Sequence, residues 1–232
     1  RVRLASTPGG KVTADILEGA TADDRTAAGI VRRMALGPAG IAPEAIDGDA
    51  FDALVAAAPH PCAYVVQDGD TIAAAMRAVA ASIEAVPFHR RDGVFSIARL
   101  VAPAGESDLE IEEGEMVDAL QLQPWTPVWR QALDYDRYWS VQGEGELAGA
   151  VDAARRADLG REYRTAWVPP VSALKVKHPG AREARAATLL ATRAGAIAEA
   201  QRRLDRDSVD RLPLVVPVCR TCAGGIELGA TM

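Results

Sequence analysis

The chain has 232 residues and a net charge of −6, with 49% apolar and 25% charged residues, which is the make-up of a globular protein able to bury a sizeable core. No apolar run approaches the roughly 20 residues of a membrane-spanning helix, and basic residues scattered along an acidic chain leave no electrostatic footprint for nucleic acid. The 3 cysteines are too few and too unevenly spaced for a disulfide scaffold.

Residues 1–17 read as a hairpin. Arg1 to Ser6 alternates, Pro8-Gly9-Gly10 supplies the turn, and Lys11 to Leu17 runs back. Thr21 or Asp23 caps a helix over 23–36, with Ala27, Ile30, Val31 and Met34 on one face, and Gly37-Pro38 ends it. A second helix fits 49–58, capped by Asp47 or Asp49, with Phe51, Leu54 and Val55 inward. His60 to Val66 reads as a short apolar strand. Asp68-Gly69-Asp70 turns the chain into a third helix over 71–86, with Ile72, Met76, Val79, Ile83 and Val86 at helical spacing. The clearest hairpin follows: Ala85 to His89, a turn at Arg90-Arg91-Asp92-Gly93, and Val94 to Val101. Asp-Gly is a strong short-range hairpin signal.

Residues 102–115 are Pro/Gly-containing and acidic and read as a loop or boundary. Residues 116–141 are strand-like, with Pro124 and Pro127 confining pairing to edges or ends. A helix is predicted over 144–163, with Leu147, Val151, Ala154 and Tyr163 inward, then strand and loop over 164–180 with Trp167. A long helix is predicted over 181–205 with the stripe Leu189, Leu190, Ile197 and Leu204. Leu212 to Val218 reads as a strand and 219–226 as a turn. Hairpins interleaved with about four to five helices, without regular βαβ alternation, predict an α+β fold with mainly antiparallel sheets. Its expected subdomains are 1–104 and 105–232. The start at Arg1 and the strand-like Ile226 to Ala230 just before Met232 predict a piece of a longer polypeptide, cut within the second subdomain.

Gly143-Glu144-Gly145-Glu146-Leu147-Ala148 matches G-x-G-x-x-A before a predicted helix. Two glutamates where a pyrophosphate would approach argue against a nucleotide, whereas near a helix N-terminus they are favourable by themselves. Cys219-Arg220-Thr221-Cys222 is a CxxC. A thioredoxin-like role needs the first cysteine at a helix N-terminus, and Gly224-Gly225 bars a helix here. A zinc site needs four ligands; Cys62 and His60 are the available second pair, an awkward clamp because Pro61 fixes the backbone between them. Free thiols in a turn are the plainer reading. His89 and His178 lie in a hairpin and a basic loop, and no serine or cysteine sits in a nucleophile elbow. The acidic run 106–115 lacks the residue order of a calcium loop. Trp125, Trp129, Tyr135, Tyr138 and Trp139 put much aromatic area into a short span, divided between core and a partner surface.

Three stretches in order resemble the large tail proteins of long-tailed bacteriophages and prophages, in the tail-tip or baseplate-hub group. They are the helix and hairpin over 70–100, the run from Trp129 to Gln142 with a helix closing on Arg161 to Arg164, and the late Leu212 to Val218 leading into Glu227-Leu228-Gly229. The resemblance covers most of the chain from residue 20 onward and its motifs are structural. It implies a non-enzymatic virion component that links tube to fibre or spike, often as a threefold ring. It implies other tail and baseplate proteins as partners, self-association as a trimer, and the host cytoplasm before assembly. No catalytic, cofactor or metal residues carry over from it. The sequence leaves open a carbohydrate- or receptor-binding module with Trp125 and Trp129 as stacking platforms, and a small hydrolase with a site near 89–146.

Overall fold

A computed structural model describes residues 18–101, 111–147, 150–209, 211 and 213–218. The expected hairpin at 1–17, the 104/105 boundary and the Cys219–Cys222 turn lie outside them. The fold is α+β.

The first expected helix is broken in two. Asp23–Arg25 forms one 3-10 turn, Thr26 turns extended (φ −71°, ψ 162°), and α1 runs over Ala27–Leu36. Thr26 caps it, its hydroxyl accepting from the Gly29 amide at 3.1 Å. Ala27, Val31 and Ala35 are buried, with Ile30 and Met34 packed beside them. Helix α2, Gly48–Ala57, is capped by Asp47, which accepts from the Ala50 amide at 3.2 Å, and it buries Phe51 and Leu54. The strand expected at 60–66 shrinks to bridges at Pro61 and Cys62. Helix α3, Ile72–Ala81, is capped by Thr71. It ends at Ala81, short of residue 86, and Pro87 biases Val86 toward extended backbone. Glu84 then takes a left-handed φ of 52°. Strands β1, Ala85–His89, and β2, Phe95–Arg99, pair antiparallel with Val86 opposite Ala98. Their turn is closed by the Arg90 amide donating to the Val94 carbonyl at 2.8 Å, with Gly93 at φ 85°.

Strand β3, Gln121–Leu122, precedes β4, Val128–Tyr135. The helix expected over 144–163 reduces to a 3-10 turn at Glu144–Glu146 and to α4, Ala153–Leu159, restarted by the Asp152 cap. The glycines in 143–149 are poor helix formers. Strand β5, Arg164–Trp167, and α5, Ser172–Lys177, follow. The long helix expected from 181 begins only at α6, Arg193–Asp207, capped by Thr192; residues Arg182–Ala187 are instead strand β6. Arg-Glu-Ala-Arg-Ala-Ala prefers helix locally, and pairing with β4 overrides that preference. The main sheet is ordered β5-β4-β6, with β4 antiparallel to β5 and parallel to β6, so it is mixed, not antiparallel throughout. Strand β7, Leu214–Val215, pairs antiparallel with β3. The described residues thus hold 6 α-helices, more than expected.

Helix α6 packs on β4 and β5. A single apolar cluster runs from Ala27, Val31 and Phe51 through Val79, Ile83 and Ile97 to Leu133, Leu190 and Leu204, drawing on residues from both sides of the 104/105 position. Residues 188–191 are its seam. The Leu189 amide donates to the Ser82 hydroxyl oxygen at 3.0 Å, its carbonyl accepts from the Ala63 amide, and the Leu190 carbonyl accepts from the Asp136 amide at 2.8 Å. No helix among the described residues is long and apolar enough to cross a membrane.

Gly29 shows how tightly α1 meets the turn before it. A Cβ at this position would lie 2.0 Å from the Asp23 carbonyl oxygen. Glycine to alanine inside a helix normally stabilises by about 1 kcal/mol. Gly29→Ala is expected to reverse that sign and destabilise by roughly 1–3 kcal/mol through overpacking against backbone, read as a lower urea midpoint at unchanged slope.

Candidate interaction surface

The β1–β2 hairpin has two unlike faces. The Arg90–Val94 bond and the Leu100 amide's bond to the Glu84 carbonyl at 2.9 Å fix which residues pair. With period-2 alternation, Ala85, Phe95, Ile97 and Arg99 point to the core, where the first three are buried. Val86, Phe88, Ser96, Ala98 and Leu100 point away; Ser96, opposite Phe88, is buried and donates its hydroxyl to the Asp47 carboxylate at 2.9 Å. None of the four apolar residues belongs to the core cluster; Phe88 and Ala98 are half-buried, and Val86 and Leu100 are 51% and 58% exposed. An antiparallel hairpin with one buried face normally turns polar side chains to water; this one turns the aliphatic Val86 and Leu100 to it. Val86, expected on the inner face of a helix, is outward because the chain is strand there.

Pro87 adds a constraint. In this register Val86 and Phe88 spend their backbone groups on β2, while Ala85, Pro87 and His89 face the open edge. Proline has no N–H, so the middle of that edge cannot donate to an incoming strand. The apolar face, not the edge, is the surface offered for contact.

Beneath the hairpin lies a buried ionic network centred on Glu199 of α6, only 4% exposed. Its carboxylate accepts from Arg202 and Arg203 at 2.8 Å each and from Arg99 of β2. Arg99 also donates to the carbonyls of Ile83, at 3.0 Å, and Ala57, at 3.2 Å. Arg203 donates to the Ser82 carbonyl at 3.0 Å. Glu84, held left-handed before β1, accepts from Arg202 at 2.6 Å and from Arg206. Burial by itself would raise the Glu199 carboxyl, but the hydrogen bonds from Arg202 and Arg203 outweigh it and hold the group below the ordinary glutamate value. These groups hold the inner side of the hairpin in place and so fix which residues it shows outside. Sequence reading passed over them. The Glu199-Arg202-Arg203 spacing of i, i+3, i+4 was available as a signal.

A second apolar surface is the β3–β7 ribbon. It is lengthened by the Val117 amide donating to the Pro217 carbonyl at 3.0 Å and the Gln123 amide to Pro213 at 2.9 Å. Leu122, at 64%, is exposed together with Val117, Leu120, Leu214 and Val215.

The five aromatic candidates separate. Tyr135 is a buried core residue. Trp139 is half-buried, edge-on to Tyr64 at 5.5 Å with the Arg137 guanidinium 4.1 Å from its ring. Tyr138 accepts through its hydroxyl from Arg155 at 3.2 Å. Trp129 lies 5.6 Å from the Lys175 ammonium, and Trp125 donates through its indole to the Val209 carbonyl at 3.2 Å. They form no common platform; each is tied to its own neighbour. Of the four zinc candidates, Cys219 and Cys222 lie outside the described residues. Cys62 is buried beside Leu190, and burial pushes its thiol up to about 12, which keeps it protonated. His60 packs against Gly195. Among the described residues no cluster of three or more His, Cys, Asp or Glu could hold a metal ion.

The chain matches no protein-family model and no curated protein.

Removing one partner from a buried charge network is strongly destabilising, by about 3–5 kcal/mol. Glu199→Gln is expected to cost that much in chemical denaturation. Because the folded carboxyl lies below its ordinary value of 4.5, its charge stabilises fully above that value. The contribution is lost as pH falls through the lower, folded value. Stability of the wild-type protein therefore declines in acid, and Glu199→Gln flattens this part of the pH profile.

Proposed function

We propose that this chain is a structural assembly module of a long-tailed phage or prophage tail, of the tail-tip or baseplate-hub group, acting through protein–protein contact and not catalysis. The observation that carries the assembly reading is the outward hairpin face, where Val86 and Leu100 are exposed beside the half-buried Phe88 and Ala98. Exposed apolar side chains grouped on a rigid support mark contact surfaces, and the exposed β3–β7 ribbon supplies a second one. The rigid support is the Glu199 network. The tail assignment itself rests on the ordered resemblance of the stretches at 70–100, 129–164 and 212–229. In that setting the partners are other tail and baseplate proteins and further copies of itself in a trimer. Interfaces of such assemblies bury roughly 1,200–2,000 Å² or more.

Two measurements test this. Electron microscopy of purified particles with a labelled antibody against this chain is expected to place label at the tail tip; label on the tube or head, or no label, overturns the tail reading. Val86→Glu with Leu100→Glu, introduced together into the protein as the phage expresses it, is expected to leave fold stability within about 0.5 kcal/mol, as exposed substitutions do, and to abolish incorporation into particles. Undiminished incorporation removes the hairpin face from the assembly.

A further inference from the structure

Two exposed surfaces of this chain carry opposite charge beside apolar groups. The first is the β3–β7 ribbon. Leu122 and Leu214 stand opposite each other across it and both are exposed; a two-stranded ribbon without cover is only marginally stable in water. Glu112, Glu115 and Asp118 lie in the segment that leads into it, Glu112 and Asp118 exposed and Glu115 half-buried. Glu115 accepts from the Glu112 amide at 3.0 Å and Asp118 from the Ala119 amide at 2.7 Å. None of the three carboxylates pairs with a cation among the described residues, and no lysine or arginine occurs in 111–123 or 213–218. The second surface is α5 and the loop after it. Val176, between Lys175 and Lys177, is the most exposed large apolar side chain among the described residues, at 82%. Val171, just before α5, is exposed too, and its amide donates to the Trp129 carbonyl at 2.8 Å. The Lys175 ammonium donates to the carbonyls of Pro179 and Ala181 at 3.1 and 3.0 Å and lies 5.6 Å from the Trp129 ring. These partners are neutral, so they fix the lysine without cancelling its charge. Arg182 is exposed and its side chain has no partner among the described residues. Residues 168–182 contain no Asp or Glu, and Glu183 is paired with Arg130.

We infer that the β3–β7 ribbon of one copy docks on the α5 surface of a second copy of this chain. Leu122 and Leu214 then cover Val176 and Val171, and the carboxylates of Glu112 and Asp118 face Lys175 and Arg182, an apolar centre inside a charged rim. Charge selects this pairing. Ribbon on ribbon would bring carboxylates together and α5 on α5 would bring cations together, and like charges across an interface are penalised. The contact therefore joins unlike surfaces, as in the heterologous interfaces that build rings. A second copy is the occupant because the complement of each surface is carried by the chain itself. The inference rests on the assembly reading, for which it names one partner and one interface, and it makes no use of the outward hairpin face.

The test is sedimentation velocity of the whole protein over a concentration series. The wild type is expected to associate reversibly, and more weakly as salt is raised from about 50 to 500 mM, because exposed charges are screened. Glu112→Arg with Asp118→Arg reverses the ribbon, and Val176→Glu with Arg182→Glu reverses the α5 surface. All four positions are exposed, and both variants are expected to keep the wild-type thermal midpoint. Each variant alone is expected to associate about tenfold more weakly or worse. An equimolar mixture of the two is expected to regain association, since it offers the intact ribbon of one variant to the intact α5 surface of the other. That restoration supports the inference. A monomer at every concentration, association that salt and both reversals leave unchanged, or a mixture as weak as its components overturns it. The measurement uses no particles, so its failure leaves the tail assignment to the antibody label and the hairpin face to the incorporation of its own variant.

Discussion

One buried carboxylate organises this fold. Glu199 lies within α6, away from water, and taking an unpaired carboxylate out of water carries a penalty of several kcal/mol. The penalty is offset only if guanidinium groups reach it from elements that then cannot move. Arg203 and Arg202 come from the same helix. Arg99 comes from the hairpin, about a hundred residues earlier in the chain, and it also holds the carbonyls of Ile83 and Ala57. The α2 end, the α3–β1 turn, strand β2 and α6 therefore meet at one charge. Hydrophobic burial alone would allow these elements to slide; directional charge-assisted bonds fix their register.

The same network explains a backbone feature that nothing local requires. Glu84 adopts φ 52°, a region that holds non-glycine residues at a cost of about 1–3 kcal/mol. Its carboxylate is gripped by Arg202 and Arg206, which supplies the compensating interaction. Asp136 repeats the arrangement after β4. It sits at φ 53°, bonds through its amide to the Leu190 carbonyl, and pairs with Arg164 at 3.3 Å. Both acidic residues end an element and change its direction, and both are held by an arginine from elsewhere in the chain. The main sheet and the hairpin are thus aimed by ionic contacts formed late in the sequence.

Short-range chemistry was legible in the sequence, and long-range pairing was not. Asp47 caps the helix that follows it, and the Asp92-Gly93 turn closes where the hairpin signal placed it, because caps and turns depend on a few adjacent residues. That Val86 leaves the helix was readable from Pro87 but was masked by the run of Ile72, Met76, Val79 and Ile83 at helical spacing. Strand β6 was invisible, since Arg182–Ala187 has helical composition and becomes a strand only because β4 offers a parallel partner. The surface proposed for assembly shares that limitation. Val86 has the same sequence spacing whether it closes a helix face or leaves the sheet; only the position of the break between α3 and β1 decides.

The ionic network and the apolar face are two consequences of one placement. Strand side chains alternate, so fixing Arg99 toward Glu199 also fixes Ala98 and Leu100 outward. The cross-strand register then carries Val86 and Phe88 to that side as well. The strand cannot slip by one residue to hide them, because that would expose Phe95 and Ile97 and pull Arg99 from a carboxylate that is almost wholly buried. The outward apolar groups are therefore locked in place by an interaction on the opposite face. Pro87 withholds the edge beside them from strand addition. A surface that cannot be turned inward, and cannot be extended by another strand, is protected from water only when a partner lies flat against it.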